Sequence, residues 1–301
     1  MRLFALAAVG LWLAIAPAAG AQSESGVAEQ SIGVGAATRI FLVANVDTAS
    51  APRALVIALH GGGGNARTMI PRWLDTARRE GFAVAFPDGV GRMERMGTWN
   101  AGGCCGHAMT SRSDDIAFIA LLIDELVRTQ NIDPRRVYVT GLSNGGMLAH
   151  RVGVELSDKV AAIAVVAGAM FGGEQAPATP LPVLIMHGER DEIVPFAGGE
   201  SPMRLVARSQ GQPFRPVSYA VDFWRRADAC SPETTTTTSG GVTVETFASC
   251  RDGAEVVFYR LASAGHTWPG AAVSSVAIER TPYTEIDASE VIWDFFERHS
   301  R

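Results

Sequence analysis

Short apolar runs alternate with amphipathic stretches over most of the chain. The apolar runs predict buried strands over residues 54–59, 82–86, 137–140, 161–166, 183–186 and 256–261. Between them, apolar residues recur at helical spacing, which predicts helices over 69–79, 113–130, 146–156 and 288–299. Strands that alternate with helices are typical of an α/β protein, in which helices cover both faces of a mostly parallel central sheet.

Three further predictions concern the start of the longest helix and two segments without a strong pattern. Ser113 is expected to cap the longest helix, where Asp114 and Asp115 suit the positive end of the helix dipole. Residues 197–216 are poorly patterned and long enough to cover or shape a cleft. The Thr-rich run over 234–238 is expected to be a solvated loop that leads to a possible strand over 242–247.

The beginning of the chain has the pattern of an export signal. A basic start is followed by an apolar run from Leu3 to Ile15 and then by small residues suited to cleavage. A membrane anchor is the alternative, but the run is short for a bilayer and polar residues follow at once. We therefore expect a signal peptide over 1–21, a flexible leader over 22–35 and one folded domain over 36–301. The mature protein is expected to be secreted, into the medium or the periplasm.

Composition narrows the possible partners. The 301 residues are 47% hydrophobic, which is enough for one sizeable core, and the formal net charge is -5. No basic patch stands out, so neither a nucleic-acid partner nor a membrane partner after signal cleavage is expected. The sequence leaves the oligomeric state open.

The four cysteines gain a role if the protein is exported, because disulfides form outside the cytoplasm. Cys230 and Cys250 flank the Thr-rich segment, so a local bridge between them is the simplest pairing. That pairing leaves Cys104 and Cys105 as a vicinal bridge or as two free thiols. No cysteine or histidine spacing matches a structural zinc site, and neither a metal nor a cofactor is expected.

The strand over 137–140 runs directly into Gly141-Leu142-Ser143-Asn144-Gly145. This Gly-x-Ser-x-Gly spacing, between a strand and a helix, is the nucleophile elbow of the α/β-hydrolase fold, although an ordinary glycine-rich turn is the alternative. Small neighbours let strand and helix pass closely, so that the Ser143 hydroxyl is pushed out of the sheet.

An oxyanion hole is predicted beside the elbow. The N–H of Asn144, which follows the nucleophile, is one expected donor. The second comes from the glycine-rich segment over 60–65, where either Gly61 or Gly62 is the donor. A phosphate-binding loop is the alternative, but the segment lacks the Gly-Lys-Ser/Thr ending of nucleotide sites.

Chain order identifies the other two members of a catalytic triad, because the acid and then the histidine follow the serine in this fold. Asp191 lies just after the strand over 183–186 and is the predicted acid, although Glu189 and Glu192 are close neighbours. His266 follows the strand over 256–261 and is the predicted base, because His299 lies almost at the chain end.

These segments together resemble the secreted esterases described as polyhydroxybutyrate depolymerase-like or as feruloyl and acetylxylan esterases. The resemblance rests on the segments around Ser143, Asp191 and His266, on the glycine-rich segment, and on Trp-Asn-Ala-Gly-Gly-Cys-Cys-Gly over 99–106. It implies the same triad, a cleft lined by residues 99–106, and no cofactor. Trp99, Trp268 and His60 are candidate cleft residues, although burial in the core is the commoner fate of tryptophan.

The resemblance implies an ester substrate, either a hydroxyalkanoate polyester or a feruloyl or acetyl ester of plant polysaccharide. Two other functions are possible on the same scaffold. A peptidase would need a gating domain or a pocket for a peptide end, and no segment indicates either. A non-catalytic binding protein would have no use for a nucleophile, an acid, a base and a glycine-rich loop together.

Overall fold

The computed structural model describes residues 26–45, 51–93, 96–271 and 282–301. The predicted signal peptide and the first residues of the predicted leader lie outside these ranges. No helix in the described ranges is both long enough and apolar enough to cross a bilayer.

Within these ranges, ten strands form one sheet in the order β1-β2-β4-β3-β5-β6-β7-β10-β9-β8. The strands from β4 to β10 in this order are parallel to one another, and an antiparallel hairpin closes each edge. The predicted mostly parallel sheet is therefore confirmed. The strands are β1 Val27–Val34, β2 Ala37–Ala44, β3 Arg53–Leu59, β4 Ala83–Pro87, β5 Ile132–Leu142, β6 Ala162–Val166, β7 Val183–Gly188, β8 Thr235–Ser239, β9 Val242–Phe247 and β10 Val256–Leu261.

Helices cover both faces of the sheet. They are α1 Ile70–Glu80, α2 Gly106–Thr110, α3 Asp115–Thr129, α4 Asn144–Glu155, α5 Arg204–Ala207, α6 Val217–Ala227 and α7 Ala288–Phe296. Strand β3 shows why two layers form, because Leu55, Ile57 and Leu59 pack with α3, α4 and α6, while alternate residues pack with α1 and α7. A central strand buried on both faces reads as a continuous apolar run, which is how β3 appears in the sequence.

Two predicted irregular segments are strands at the sheet edges. Residues 27–34 form β1, which pairs with β2, so the prediction of a flexible leader is wrong for this part. The Thr-rich run forms β8, whose residues are all exposed, so the prediction of a solvated loop is also wrong. Both strands present mostly exposed or half-buried side chains, which explains the missing apolar signal, and threonine favours strands through its branched Cβ.

The start of α3 differs from the prediction by one residue. The Asp114 carboxylate, not Ser113, accepts the capping hydrogen bond, from the Ala117 N–H at 3.1 Å. Ser113 instead donates to the Asp115 carboxylate, which also pairs with Arg39 at 2.8 Å. The predicted cap therefore lies one residue before the observed one.

Two disulfides are present. The predicted Cys230–Cys250 bridge is confirmed, and Cys104 and Cys105 are bonded to each other rather than free. The segment over 197–216, which was predicted to cover or shape a cleft, contains α5. Its backbone pairs with the segment over 99–106 through an isolated antiparallel β-bridge between Gln210 and Cys104.

Candidate active site

Ser143 lies in a strained turn between β5 and α4. Its backbone dihedrals are φ 55° and ψ −120°, a region that costs a residue with a side chain about 1–3 kcal/mol. The turn is tight because glycines let the chain pass closely: a Cβ at Gly141 would lie 2.4 Å from the Gly145 carbonyl, and one at Gly145 would lie 2.5 Å from the Leu59 carbonyl oxygen. The predicted elbow geometry is therefore present.

Asp191 and His266 meet at the carboxyl edge of the sheet. Asp191 follows β7 and His266 follows β10, and these strands are parallel neighbours. His266 Nδ1 lies 2.7 Å from Asp191 Oδ2. Because an ionised carboxylate only accepts hydrogen bonds, Nδ1 carries the proton, and Nε2 of a neutral ring is left as a base.

The Asp191 carboxylate is held in its ionised form. Burial by itself raises the pKa of Asp191, but attraction to His266 and hydrogen bonds from His187 and His266 lower it further than burial raises it. The neighbouring carboxylates do not share this environment: Glu192 and Glu189 are both exposed, and Glu189 lies 3.5 Å from Arg260. Of the three acidic candidates, the structure pairs only Asp191 with His266.

Ser143 lies at the same edge, because β5 and β6 continue the parallel series that includes β7 and β10. Its N–H donates to the Val166 carbonyl at the end of β6, 2.9 Å away. Within the described ranges, however, the Ser143 hydroxyl makes no hydrogen bond with His266. The structure therefore joins the acid to the base and places the serine at their edge, while the contact between serine and base stays a prediction. Such contacts are often long before a substrate binds.

The glycine-rich segment lies against the elbow. A Cβ at Gly61 would be 3.6 Å from the Ser143 Cβ, and one at Gly62 would be 3.5 Å from the Asn144 Cβ. The N–H groups of Gly63 and Gly64 donate to the carbonyls of Gly97 and Gly61. The N–H groups of Gly61 and Gly62 have no such acceptor among the described residues, so both remain candidates for the predicted second donor.

His60 holds this segment in place through two hydrogen bonds of its ring. Its Nε2 accepts from the Gly89 N–H at 2.9 Å, so Nδ1 carries the proton and donates to the Gly61 carbonyl at 2.8 Å. Burial lowers the pKa of His60 to about 4, which keeps the ring neutral. His60 is completely buried and therefore fixes the loop rather than lining a cleft, so the cleft prediction is wrong for this residue.

The two tryptophans predicted to line the cleft are also completely buried. The Trp99 indole donates to the His60 carbonyl at 2.9 Å, and the Asn144 side-chain amide bonds both backbone groups of Trp99. The Trp268 indole donates to the Ser289 hydroxyl at 3.1 Å and packs against Trp73. Both rings belong to the core, so neither can stack on a ligand, and the cleft predictions for them are wrong.

His187 also contacts the acid, a contact that the sequence pattern did not predict. Its Nε2 lies 2.9 Å from the Val194 carbonyl oxygen and 3.3 Å from Asp191 Oδ2. Since both neighbours are acceptors, Nε2 carries a proton directed between them. The signal was the placement of His187 at the end of β7, four residues before Asp191, where a tight turn brings the two side chains together.

Known proteins are similar to this chain in sequence and in fold. A family model described as phospholipase/carboxylesterase matches residues 43–212. Feruloyl esterase B of Piromyces equi is 32% identical over 198 residues, which cover 63% of this chain and 34% of that protein. NocK of Nocardia uniformis subsp. tsuyamanensis, named as a candidate esterase, is 32% identical over 240 residues, 72% of this chain and 66% of NocK. The chain thus spans about a third of the first relative's length and just under two thirds of the second's.

A solved structure confirms the predicted α/β-hydrolase fold. Acetyl xylan esterase from Aspergillus awamori superposes with a TM-score of 0.56 at 15% sequence identity. The superposition covers 80% of this chain and 94% of that one. At this level of identity the likeness concerns the fold alone.

Proposed function

We propose, since the chain belongs to the phospholipase/carboxylesterase family, that it is a serine ester hydrolase with Ser143 as nucleophile, His266 as base and Asp191 as orienting acid. The observation that carries the proposal is the 2.7 Å contact between Asp191 and His266 at the sheet edge where the strained Ser143 lies. A buried, ionised carboxylate bound to one imidazole nitrogen is the arrangement that prepares the other nitrogen to accept a proton.

In the proposed reaction, the Ser143 oxygen attacks the ester carbonyl while its proton passes to His266 Nε2. The tetrahedral intermediate collapses as His266 returns the proton to the departing alcohol, which leaves an acyl group on Ser143. Water, deprotonated by the same nitrogen, then attacks the acyl-enzyme and releases the acid. Asp191 stabilises the imidazolium in both halves and never takes the proton itself.

The negative charge on the carbonyl oxygen needs donors that are already in place. The Asn144 N–H is in the first turn of α4, where backbone N–H groups have no acceptor within the helix. The N–H groups of Gly61 and Gly62 lie beside it and are held by the hydrogen bond from His60 to Gly61. Losing one such donor typically slows turnover by about 100- to 1,000-fold. The hydrogen bond from His60, which holds the donors in place, is therefore expected to matter for turnover as well.

We propose feruloyl or acetyl esters of plant polysaccharide as the substrates, ahead of hydroxyalkanoate esters. The support is the similarity to a protein named feruloyl esterase, at 32% identity. An enzyme that acts on a plant polymer must meet it outside the cell, so secretion after cleavage of residues 1–21 is part of the same proposal.

A fluorophosphonate label separates an esterase from a binding protein with the same scaffold. The wild-type protein is expected to hydrolyse p-nitrophenyl acetate and to take up one label on Ser143, located by peptide mass spectrometry. Ser143→Ala should lose both properties, while Ser111→Ala, a change at an exposed serine, should keep both. Retention of most turnover by Ser143→Ala would disprove the nucleophile assignment. Hydrolysis of peptide amides in preference to esters would indicate a peptidase instead.

A further inference from the structure

A pocket of about 540 Å³ lies along one side of α4. Its walls come from α4, from the segment after β6, and from the segment that contains the vicinal disulfide; Met147, His150, Val154, Ala169, Phe171 and Gly103 are among the lining residues. Along a helix with a rise of about 1.5 Å per residue, these α4 positions start about 6 Å from Ser143 and extend away from it. Ser143, Asp191 and His266 do not line this pocket.

The lining includes a buried donor without a partner. His150 is 2% exposed, and its Nδ1 lies 3.0 Å from the Trp224 indole nitrogen. An indole N–H only donates, so Nδ1 is the acceptor and the proton of the neutral ring is on Nε2. Burial lowers the pKa of His150 to about 3, so the ring stays neutral at ordinary pH. Nε2 has no hydrogen-bond partner in the described ranges, an arrangement that carries an energetic cost unless a ligand supplies an acceptor.

The charges around the pocket favour a neutral ligand. Its charged lining residues are Arg151, Glu155 and Glu174, and Arg151 is already paired with Glu155 at 2.6 Å. Burial raises the pKa of Glu174, but hydrogen bonds from the backbone N–H groups of Phe171 and Gly172 lower it further, so this carboxylate stays ionised. Two carboxylates against one guanidinium disfavour an anionic ligand, and the His150 donor disfavours a cation.

The polar groups at the rim favour hydroxyl groups over ester groups. Gln175 and Gln212 are exposed rim residues, and each amide both donates and accepts hydrogen bonds. A hydroxyl can accept from His150 and donate to a carboxylate or an amide oxygen, whereas an ester chain can only accept. Met147, Val154 and Phe171 provide apolar surface suited to the C–H faces of a sugar ring.

We infer that this pocket binds a neutral oligosaccharide chain, and that His150 donates through Nε2 to one of its hydroxyl groups. The inference rests on the proposed function, because a saccharide held here would be the polymer whose ester group reaches Ser143. The site is a positioning subsite and takes no part in bond making or breaking.

Isothermal titration of the full-length protein with xylotetraose, which carries no ester, tests the inference, with cellotetraose and a trimer of 3-hydroxybutyrate as comparison ligands. Xylotetraose or cellotetraose should bind. Ala176→Trp places a large side chain at the exposed rim and should weaken that binding by more than about tenfold, since it excludes the ligand by volume. Ala178→Trp, an exposed change on the same segment outside the lining, should leave binding unchanged.

His150→Asn tests the donor itself. The asparagine oxygen can accept from Trp224 in place of Nδ1, while the donor at Nε2 is lost, so oligosaccharide binding should weaken by about fivefold. If this variant does not fold, Ala176→Trp decides alone.

The inference would be overturned by tetrasaccharides that fail to bind at millimolar concentration, or by binding that Ala176→Trp leaves intact. Preference for the hydroxybutyrate trimer at the same pocket would also overturn it. Hydrolysis of p-nitrophenyl acetate by the wild-type protein reports separately on the proposed function. An active esterase without saccharide binding refutes only the subsite, and saccharide binding without esterase activity refutes only the proposed function.

Discussion

At the scale of single residues, Asp191 shows how the protein fixes one carboxylate. Its Oδ1 accepts from the N–H groups of Ile193 and Val194, both at 2.8 Å, and its Oδ2 faces His266 and His187. All the acceptor positions are therefore directed, and the side chain cannot rotate without losing several hydrogen bonds. This explains why the acid is rigid although it follows a strand end in a turn.

Replacing Asp191 with Asn should disable the base without removing it. The amide N–H would face Nδ1 of His266 and move the ring proton to Nε2, where it blocks proton transfer from Ser143. We expect kcat for p-nitrophenyl acetate to fall about 10,000-fold at neutral pH. Glu192→Gln, at the exposed neighbour, should change kcat less than twofold. Circular dichroism should show both variants folded, and a small loss of kcat in Asp191→Asn would assign the acid role elsewhere.

Asp228, away from the candidate site, is a buried carboxyl group that lowers the stability of the protein at high pH. It is completely buried, Oδ1 accepts from the Leu181 N–H at 2.9 Å, and Oδ2 has no partner in the described ranges. Burial raises the pKa of Asp228 to about 7, from its ordinary value of 3.8. Between these values the folded state binds a proton that the unfolded state has released, so this residue's contribution to stability falls as pH rises.

Asp228→Asn should therefore stabilise the protein at high pH. The amide keeps an acceptor for Leu181 and carries no charge, so the free energy of unfolding should rise by up to about 4 kcal/mol at about pH 8. Little change is expected at about pH 4, where the wild-type carboxyl is neutral when folded. Urea denaturation at both pH values measures this. The control is Asp222→Asn, at an exposed position on α6, the helix that ends just before Asp228. An equal effect at both pH values would show that charge is not the cause.

At the scale of elements, the strand-turn-helix unit β5–α4 holds the nucleophile through close backbone packing. In an ordinary helix, changing Gly to Ala stabilises by about 1 kcal/mol. At Gly145 the new Cβ would lie 2.5 Å from the carbonyl oxygens of Leu59 and His60, which belong to the strand end and loop beneath it. Backbone atoms cannot move aside as a flexible side chain can, so we expect the steric effect to outweigh helix propensity.

Gly145→Ala is thus expected to lower the free energy of unfolding by about 1–3 kcal/mol, and to reduce kcat because the elbow shifts. The matched control is Gly33→Ala in β1, where an added Cβ meets no atom within 4 Å, and where the change should stay within about 0.5 kcal/mol. Chemical denaturation of both variants measures the difference. A stabilised Gly145→Ala would mean that propensity prevails and that the elbow is looser than described.

Elements with a clear apolar pattern could be predicted from the sequence. Elements without such a pattern, and the burial of individual tryptophans, could not. β10 was predicted at its observed bounds, because its residues form a nearly continuous apolar run and are mostly buried. α6 was not predicted, although Val217, Val221 and Trp224 form its buried face, because it directly follows the unpatterned segment. Trp99 and Trp268 were misplaced because a sequence does not record whether an indole N–H finds its acceptor inside the core. The triad candidates needed only chain order, which survives any error in the strand bounds.

At the scale of the whole molecule, the candidate site lies at the carboxyl ends of the parallel strands, and the two lateral edges of the sheet are formed by partly or fully exposed strands. The carboxyl ends of β5, β7 and β10 present the three triad candidates, as expected for a parallel sheet, whose ligand sites lie beyond these ends. The outermost strands are β1 and β8, whose exposed or half-buried side chains discourage pairing with another molecule. The second hairpin lies between Cys230 and Cys250, so the disulfide ties this edge to the end of α6.

The Cys230–Cys250 bridge gives the last prediction, because a strand pair with so little buried apolar surface depends on another constraint. With the cysteines 20 positions apart in the sequence, the bridge is expected to stabilise the fold by about 3 kcal/mol because it restricts the unfolded state. The double variant Cys230→Ser/Cys250→Ser should melt about 5–10 °C below wild type. Dithiothreitol should lower the wild-type Tm by a similar amount but leave the double variant's Tm much less affected, since only Cys104–Cys105 remains to be reduced. Equal sensitivity of both proteins to dithiothreitol would assign the stabilisation to the vicinal bridge. The β8–β9 hairpin would then not be the part of the fold that depends on an oxidising compartment.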